Sequence, residues 1–261
     1  MKKIFLSLIV AAVAATSYAQ NTKNVVYDAD AEVRKVENFT GIDVSSAITV
    51  YLSQGNENAL AISIHGIDKD KVKTEVKNGV LKIYMENSFW GSKWGDVRIK
   101  AYVTVKSIDK ITASGASQIR ITDKITAASL KIVASGASSI KGDIKADELR
   151  LDLSGASSTT NALTTTKLRI DVSGASTANV NGNTDNLDIH ASGASNLKAY
   201  DLVVGSCSAE ASGASSIRVN VTKEFTKVEA SGASSIHYKG DATVKNFEAT
   251  GASSIKKDSG K

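Results

Sequence analysis

Between residues 106 and 256 the apolar positions fall into columns. A Ser-Gly-Ala-Ser motif, Thr-Gly-Ala-Ser in its last copy, places glycines at Gly115, Gly136, Gly155, Gly174, Gly193, Gly213, Gly232 and Gly251, spaced by 21, 19, 19, 19, 20, 19 and 19 residues. Four before each glycine stand Ile111, Ile132, Leu151, Ile170, Ile189, Ala209, Val228 and Phe247. Two before stand Ala113, Ala134, Leu153, Val172, Ala191, Ala211, Ala230 and Ala249. Six before stand Leu130, Leu149, Leu168, Leu187 and Cys207, and four after stand Ile119, Ile140, Leu197, Ile217, Ile236 and Ile255, with Thr159 and Ala178 in the weaker rows. Alternation of this kind is strand periodicity. A unit of this length cannot bury its own apolar face, so it must stack on its neighbours. The spacing therefore predicts an all-β, single-stranded parallel β-helix-like stack of about eight 19–21-residue rungs, roughly 38 Å tall at one strand spacing per rung. The motif reads first as a bend, because nineteen residues must turn several times to close a coil, and glycine with small neighbours suits a tight corner. A second reading runs the strand straight through the glycine. It would turn the glycine and the second serine inward as a buried hydroxyl ladder.

Residues 36–105 lack the motif but still read as β. Ile48–Leu52, Leu60–Ile64, Val72–Val76, Val80–Met85 and Val97–Val105 alternate or run apolar between Gly, Asn and Asp turns, and Lys77-Asn78-Gly79-Val80 is a hairpin signal. This irregular portion is expected either to begin the coil or to cap its open end, since an uncovered strand edge invites aggregation. Within it, Phe89-Trp90-Gly91-Ser92-Lys93-Trp94-Gly95 holds both tryptophans. Trp90 and Trp94 read either as an exposed aromatic platform for a sugar ring or protein, or as a loop folding its indoles over the core end.

Composition narrows the class. Lys2 and Lys3, the uncharged run Ile4–Ala15 and the small residues of Ser17-Tyr18-Ala19 form a secretory signal pattern, with cleavage expected after Ala19. The run is too short for a comfortable membrane span. The chain is expected to be exported, to periplasm, cell surface or medium, with no integral membrane segment after cleavage. Without Lys2 and Lys3 the balance is 30 basic against 27 acidic residues, net +3, and no basic block stands out. A nucleic-acid partner is therefore not expected. The chain has no proline, which suits a molecule that is mostly paired strand. Its single cysteine, Cys207, allows no intramolecular disulfide and occupies an inward column, where it reads as a buried apolar filler.

One outward column carries charge. Three before each glycine stand Asp152, Asp171, His190, Glu210, Glu229 and Glu248. Stacked roughly 5 Å apart, like charges repel and need compensation. Lys110, Lys131, Arg150, Arg169 and Lys227 stand two residues earlier, and Arg120, Lys141, Lys198, Arg218 and Lys256 five after the glycine, so basic columns are expected on both flanks. This face reads either as solvated surface ion pairs or as a polar binding face. One carboxylate per rung is too few for calcium. His190, Ser192 and Asp171 superficially suggest a nucleophile triad, but strand neighbours on one face sit almost 7 Å apart and no oxyanion site is evident. His65 and His237 have no partners at metal-ligand spacing. No catalytic, metal or cofactor residue is assigned. A repetitive threonine surface is represented only by Thr164-Thr165-Thr166.

Three segments carry a family resemblance: Asn38-Phe39-Thr40-Gly41-Ile42-Asp43-Val44, Ala47-Ile48-Thr49-Val50-Tyr51-Leu52-Ser53-Gln54-Gly55, and Val76-Lys77-Asn78-Gly79-Val80-Leu81-Lys82-Ile83, followed by the Ser-Gly-Ala-Ser rungs. Together they resemble the putative auto-transporter adhesin head GIN domain family, from about Val36 to Ile255. The resemblance implies an exported bacterial protein, a right-handed β-helix-like fold and one domain rather than two. The expected division is a signal peptide at 1–19, a lead segment at 20–35 and a single domain at 36–256, with 36–105 as irregular rungs or cap and 106–256 as regular repeats. The family supplies no catalytic residues, and the chain shows neither a membrane-barrel pattern nor a coiled-coil stalk. The expected function is non-enzymatic: an envelope or surface protein that binds a glycan or an envelope or host protein through a rigid β-coil face. Its candidate surface is Trp90, Trp94, Asp152, Asp171, His190, Glu210, Glu229 and Glu248. The alternatives are a carbohydrate-active enzyme on a β-helix scaffold and a purely structural envelope component.

Overall fold

The computed structural model describes residues 28–86 and 96–258. The signal pattern and the Trp90–Trp94 segment lie outside the described residues. Among the described residues nineteen strands form one hydrogen-bonded sheet. The first seven are β1 (Glu32–Arg34), β2 (Gly41–Val44), β3 (Thr49–Gln54), β4 (Ala59–His65), β5 (Val72–Lys77), β6 (Val80–Met85) and β7 (Arg98–Val105). The regular stack follows as β8 (Lys110–Ala113), β9 (Gln118–Ile121), β10 (Ile125–Ala134), β11 (Ser139–Leu153), β12 (Ser158–Val172), β13 (Thr177–Ala191), β14 (Asn196–Ala211) and β15 (Ser216–Ala230). It closes with β16 (Ser235–Lys239), β17 (Thr243–Val244), β18 (Phe247–Ala249) and β19 (Ser254–Lys257).

From β8 onward every pairing is parallel, and the inward apolar columns join like to like. Leu130 pairs with Leu149, Leu149 with Leu168, Leu168 with Leu187 and Leu187 with Cys207. The columns legible in the sequence are therefore physical columns, and their side chains form one continuous buried core. A slip of one residue would turn a whole rung inside out, so the apolar columns hold the register. Alternation breaks once in each regular rung away from the motif, where two consecutive residues face solvent: Asp147-Glu148, Thr166-Lys167 and Asp185-Asn186.

The motif is a bend, and its second serine is also buried. Each of the eight glycines has φ between 65° and 73°, in the left-handed region, and Gly and Ala of the motif face solvent. Hydrogen bonding continues through the corner: the amides of Ser173, Ala175 and Thr177 donate to the carbonyls of Leu153, Gly155 and Ser157 at 2.9, 2.7 and 3.0 Å. The closing serine then points inward. Ser138, Ser157, Ser195, Ser215 and Ser234 donate their hydroxyls to Ala113, Ala134, Val172, Ala191 and Ala211 carbonyls on the rung below, at 3.0–3.2 Å. Each of these five hydroxyls is thus matched to a backbone acceptor, which serine does without filling the corner, whereas Ser117 Oγ in the first copy is buried without a hydrogen-bond partner. The polar residues in the weaker rows are matched too: Thr159 Oγ1 donates to Ile140 O at 3.0 Å, and Thr165 bonds Thr184 at 2.9 Å.

The amino-terminal portion both continues the coil and caps it. The β2–β3 pair stacks directly beneath β8–β9, in parallel register. Its corner, Ser45-Ser46-Ala47-Ile48, is a hidden copy of the motif: Ser46 (φ 69°) lies under Gly115, and Ser114 N and Gln118 N donate to Val44 O and Ile48 O at 2.9 Å. On the far side of this layer β2 pairs with β6 and β3 with β7. Antiparallel pairings then take over, β4 with β7, β1 with β4, and β5 with β6 through the Asn78-Gly79 turn. Glu32–Arg34, within the segment expected to lead into the domain, is thereby part of the sheet.

The opposite end corrects two assignments. Phe247 and Ala249 belong to inward columns, yet Phe247 is 58% exposed and Ala249 faces solvent, because among the described residues no further rung covers them. Cys207 takes the expected place in the core. It is buried, and burial pushes its thiol well above its ordinary value. Native protein is accordingly expected to react with a thiol reagent at neutral pH only as fast as it unfolds, so that mild denaturant speeds labelling; rapid labelling of the native fold would contradict the packing.

Candidate functional site

The acidic column exists as a geometric row. Asp152 pairs with Asp171, Asp171 with His190, His190 with Glu210, Glu210 with Glu229 and Glu229 with Glu248. These residues stand on β11 to β15 and β18, each just before a motif corner. The row is therefore held by the most repetitive part of the fold.

Compensation comes from one flank. Lys131 bonds Asp152 at 3.0 Å, Arg150 bonds Asp152 at 2.7 Å and Asp171 at 2.8 Å, and Arg169 bonds Asp171 at 2.9 Å. Further along, Lys227 bridges Glu210 at 2.6 Å and Glu229 at 2.9 Å. All these cations come from the column two residues before the carboxylates, and not from the second flank that the sequence suggested. The column five after the glycine lies beyond the corner, where Lys141 stacks on Arg120 and Arg218 on Lys198. The basic column is interrupted by Asp188, which pairs with Arg169 at 2.7 Å. Sequence reading missed Asp188, because it breaks its column's charge pattern and acquires meaning only through the rung below.

Electrostatics follow the geometry. Burial works against ionisation of Asp171, but the hydrogen bond from Arg169 and the charges of Arg169 and Arg150 outweigh it and hold the carboxyl below its ordinary value. The hydrogen bond from Lys227 does the same for Glu210. Carboxyls depressed in the fold add stability above their unfolded values and lose it as pH falls through their folded ones. The melting temperature should hold from about pH 7 to about pH 5 and fall below about pH 4, and Asp171→Asn should flatten that fall. Thermal melts of both proteins across this range measure it.

His190 occupies the break in the row. Its Nδ1 lies 3.4 Å from Asp171 and 3.8 Å from Asp188, and its Nε2 lies 3.5 Å from Glu210. Nδ1 makes no hydrogen bond at these distances. Both ring nitrogens thus face carboxylates, and Ser192, just past the end of β13, is not their partner. Among the described residues no group of three or more His, Cys, Asp or Glu side chains could hold a metal ion.

Two grooves run along this part of the stack. One, of about 350 Å³, has His190, Glu210, Glu229 and Glu248 on one wall and Ser192, Ser212, Ser231 and Thr250 on the other. Its lining holds three carboxylates, two of them bridged by Lys227 from outside the groove, so it is net acidic and rich in hydroxyls. The second, of about 540 Å³, follows the buried Leu149–Leu168–Leu187 column between Arg150 and Arg169 on one side and Glu148 and Lys167 on the other.

The architecture matches a known family. A family model described as "Putative auto-transporter adhesin, head GIN domain" matches residues 38–242. The chain belongs to this family. Solved structures share the GIN-domain stack. A putative adhesin from Parabacteroides merdae is 19% identical, with a TM-score of 0.78 over 88% of this chain and 95% of that one. A putative lipid binding protein from Parabacteroides distasonis is 21% identical, with a TM-score of 0.75 over 89% and 98%. A putative adhesin from Bacteroides fragilis is 22% identical, with a TM-score of 0.66 over 87% and 96%. At these identities the likeness establishes the fold alone. No curated protein matches the chain. Among the described residues no helix is long and apolar enough to cross a membrane.

Proposed function

We propose that this GIN-domain chain is an exported, non-enzymatic adhesin-like protein whose binding surface is the acidic, hydroxyl-lined groove from His190 to Glu248. The observation that carries the reading is the combination of three stacked carboxylates with a facing row of serine and threonine hydroxyls at one strand spacing. Carboxylates accept hydrogen bonds from sugar hydroxyls, serines donate and accept, and the net negative charge disfavours acidic glycans. The ligand class is therefore a neutral or amino-sugar glycan laid along the stack. Trp90 and Trp94 are a second candidate contact, proposed from sequence as a sugar platform.

A carbohydrate-active enzyme is the main rival. It would need an acid and a base converging on one bond. Here the carboxylates form a single file, and the groups nearest His190 are the carboxylates of Asp171, Asp188 and Glu210. A second reading, an amphiphile held in the 540 Å³ groove, is favoured by that groove's leucine column and basic wall. It also agrees with the description of one similar structure as a lipid binding protein.

A glycan array tests the proposal. Wild type should retain neutral or amino-sugar glycans, and Glu210→Gln/Glu229→Gln should lose roughly tenfold or more in affinity, as expected for removing charge-assisted hydrogen bonds. A Trp90→Ala/Trp94→Ala protein separates the two candidate surfaces. Binding confined to acidic glycans, or binding untouched by both variants, would refute the assignment.

A further inference from the structure

The first repeat is longer than the rest: Gly115 and Gly136 lie 21 apart, against 19 for most rungs. The register shows where the two extra residues sit. Arg120 pairs with Lys141 and Ile125 with Ile144, so four residues, Ile121 to Lys124, stand opposite two, Gly142 and Asp143. The longer segment leaves the ladder as a bulge. It is pinned on both sides. Thr122 donates from its amide and its hydroxyl to Leu52 O at 2.8 and 3.2 Å. The Gln54 side chain brackets Thr126, accepting from its amide at 2.8 Å and donating to its carbonyl at 3.0 Å. On the next rung Gly142 leaves room for the bulge, since a Cβ there would meet the Ile121 Cβ at 2.5 Å. Between bulge and ladder lies a cavity of about 620 Å³.

Its lining carries three cations, Arg120, Lys124 and Lys141, against two carboxylates, Asp123 and Asp143. Arg120 and Lys141 are direct cross-strand partners, and like charges so placed repel. The acidic row relieves the same problem with Arg150 and Lys227 bridges. Here, among the described residues, no carboxylate lies within ion-pair distance of Arg120 or Lys141. Arg120 is nevertheless held in place. Its guanidinium sits 5.9 Å over the Tyr51 ring, which stacks on Tyr102 with centroids 5.2 Å apart, and its Nη2 donates to Gln118 Oε1 at 3.3 Å. The rest of its donor fork has no partner among the described residues.

We infer that this cavity binds an acidic sugar of the uronic-acid type, its carboxylate held between Arg120 and Lys141. A carboxylate there offsets both stacked charges at once and fits the guanidinium fork in two parallel hydrogen bonds. The cavity is roomier than a bare anion needs and falls within the range of about 300–1,000 Å³ usual for small-molecule sites. Gln118, Ser139 and Asp143 line the same space and supply donors and acceptors for ring hydroxyls. The site shares no residue with the groove from His190 to Glu248 and takes a ligand of the charge that groove disfavours, so the two assignments stand or fall separately.

Isothermal titration of the signal-free chain with trigalacturonate, its methyl ester and inorganic phosphate tests this. Wild type should bind trigalacturonate, and the uncharged ester and inorganic phosphate should each bind roughly tenfold or more weakly. Arg120→Gln and Lys141→Gln should each weaken trigalacturonate roughly tenfold or more without lowering the melting temperature, since each removes one of two repelling charges. Lys145→Gln takes a cation from the same strand outside the cavity and should leave the affinity unchanged. Four results would each overturn the inference: no binding of trigalacturonate, an ester that binds as well, phosphate that binds as well, or Lys145→Gln as damaging as Arg120→Gln. The third would make the cavity a site for bare anions, and the fourth would reduce the effect to general surface charge.

Discussion

Gly174→Ala is expected to lower the unfolding free energy by about 3 kcal/mol or more, measured by urea titration. Two effects combine. Gly174 has φ of 68°, where an L side chain is strained by about 1–2 kcal/mol. An added Cβ would also sit 2.5 Å from Gly155 O, the acceptor for Ala175 N at 2.7 Å. The rung must shift, and the corner hydrogen bond weakens with it. Gly79→Ala separates these effects, because Gly79 has φ of 73° in the Asn78-Gly79 hairpin and nothing within 4 Å of the added Cβ. It should cost only the strain, about 1–2 kcal/mol. Equal losses at the two positions would show that close stacking at the corner contributes nothing.

Phe225→Ala is expected to cost about 3–5 kcal/mol, read in the same titration. Phe225 is fully buried and meets Tyr238 edge-on, with ring centroids 5.1 Å apart. It lies in the leucine column, paired with Cys207 on one side and Val244 on the other. The small cysteine beside the large ring keeps the column's volume in step with its neighbours. Cys207→Leu should therefore overpack by about 1–3 kcal/mol, and Phe225→Leu should relieve part of that cost in the double variant. Additive losses would show that the two side chains do not share one space.

The columns were legible because a parallel stack superposes equal positions, so spacing along the chain becomes contact between rungs. The acidic row from Asp152 to Glu248 was legible for the same reason. Three features were not. The corner at Ser45–Ile48 contains no glycine, and its left-handed Ser46 and Ala47 show only in the backbone. The serine of the motif was read as either corner or ladder; the fold makes it both, because the bend ends one residue before the side chain turns inward. The grooves beside His190 and Leu168 depend on how far neighbouring columns splay apart, which no periodicity encodes. The same holds for the clasp at the last rung. There Asp258 accepts a hydrogen bond from Tyr200 and lies 3.1 Å from His237, tying the segment after β19 to the stack.

The central claim is that regular rungs are scaffold and the acidic face binds without cutting. Affinity electrophoresis of the folded chain through gels containing neutral or amino-sugar polysaccharides, with reducing ends assayed in the same samples, tests it most directly. The expected result is retarded migration that Glu210→Gln/Glu229→Gln abolishes, with no new reducing ends. New reducing ends that disappear in that variant would contradict it and make the face an active site.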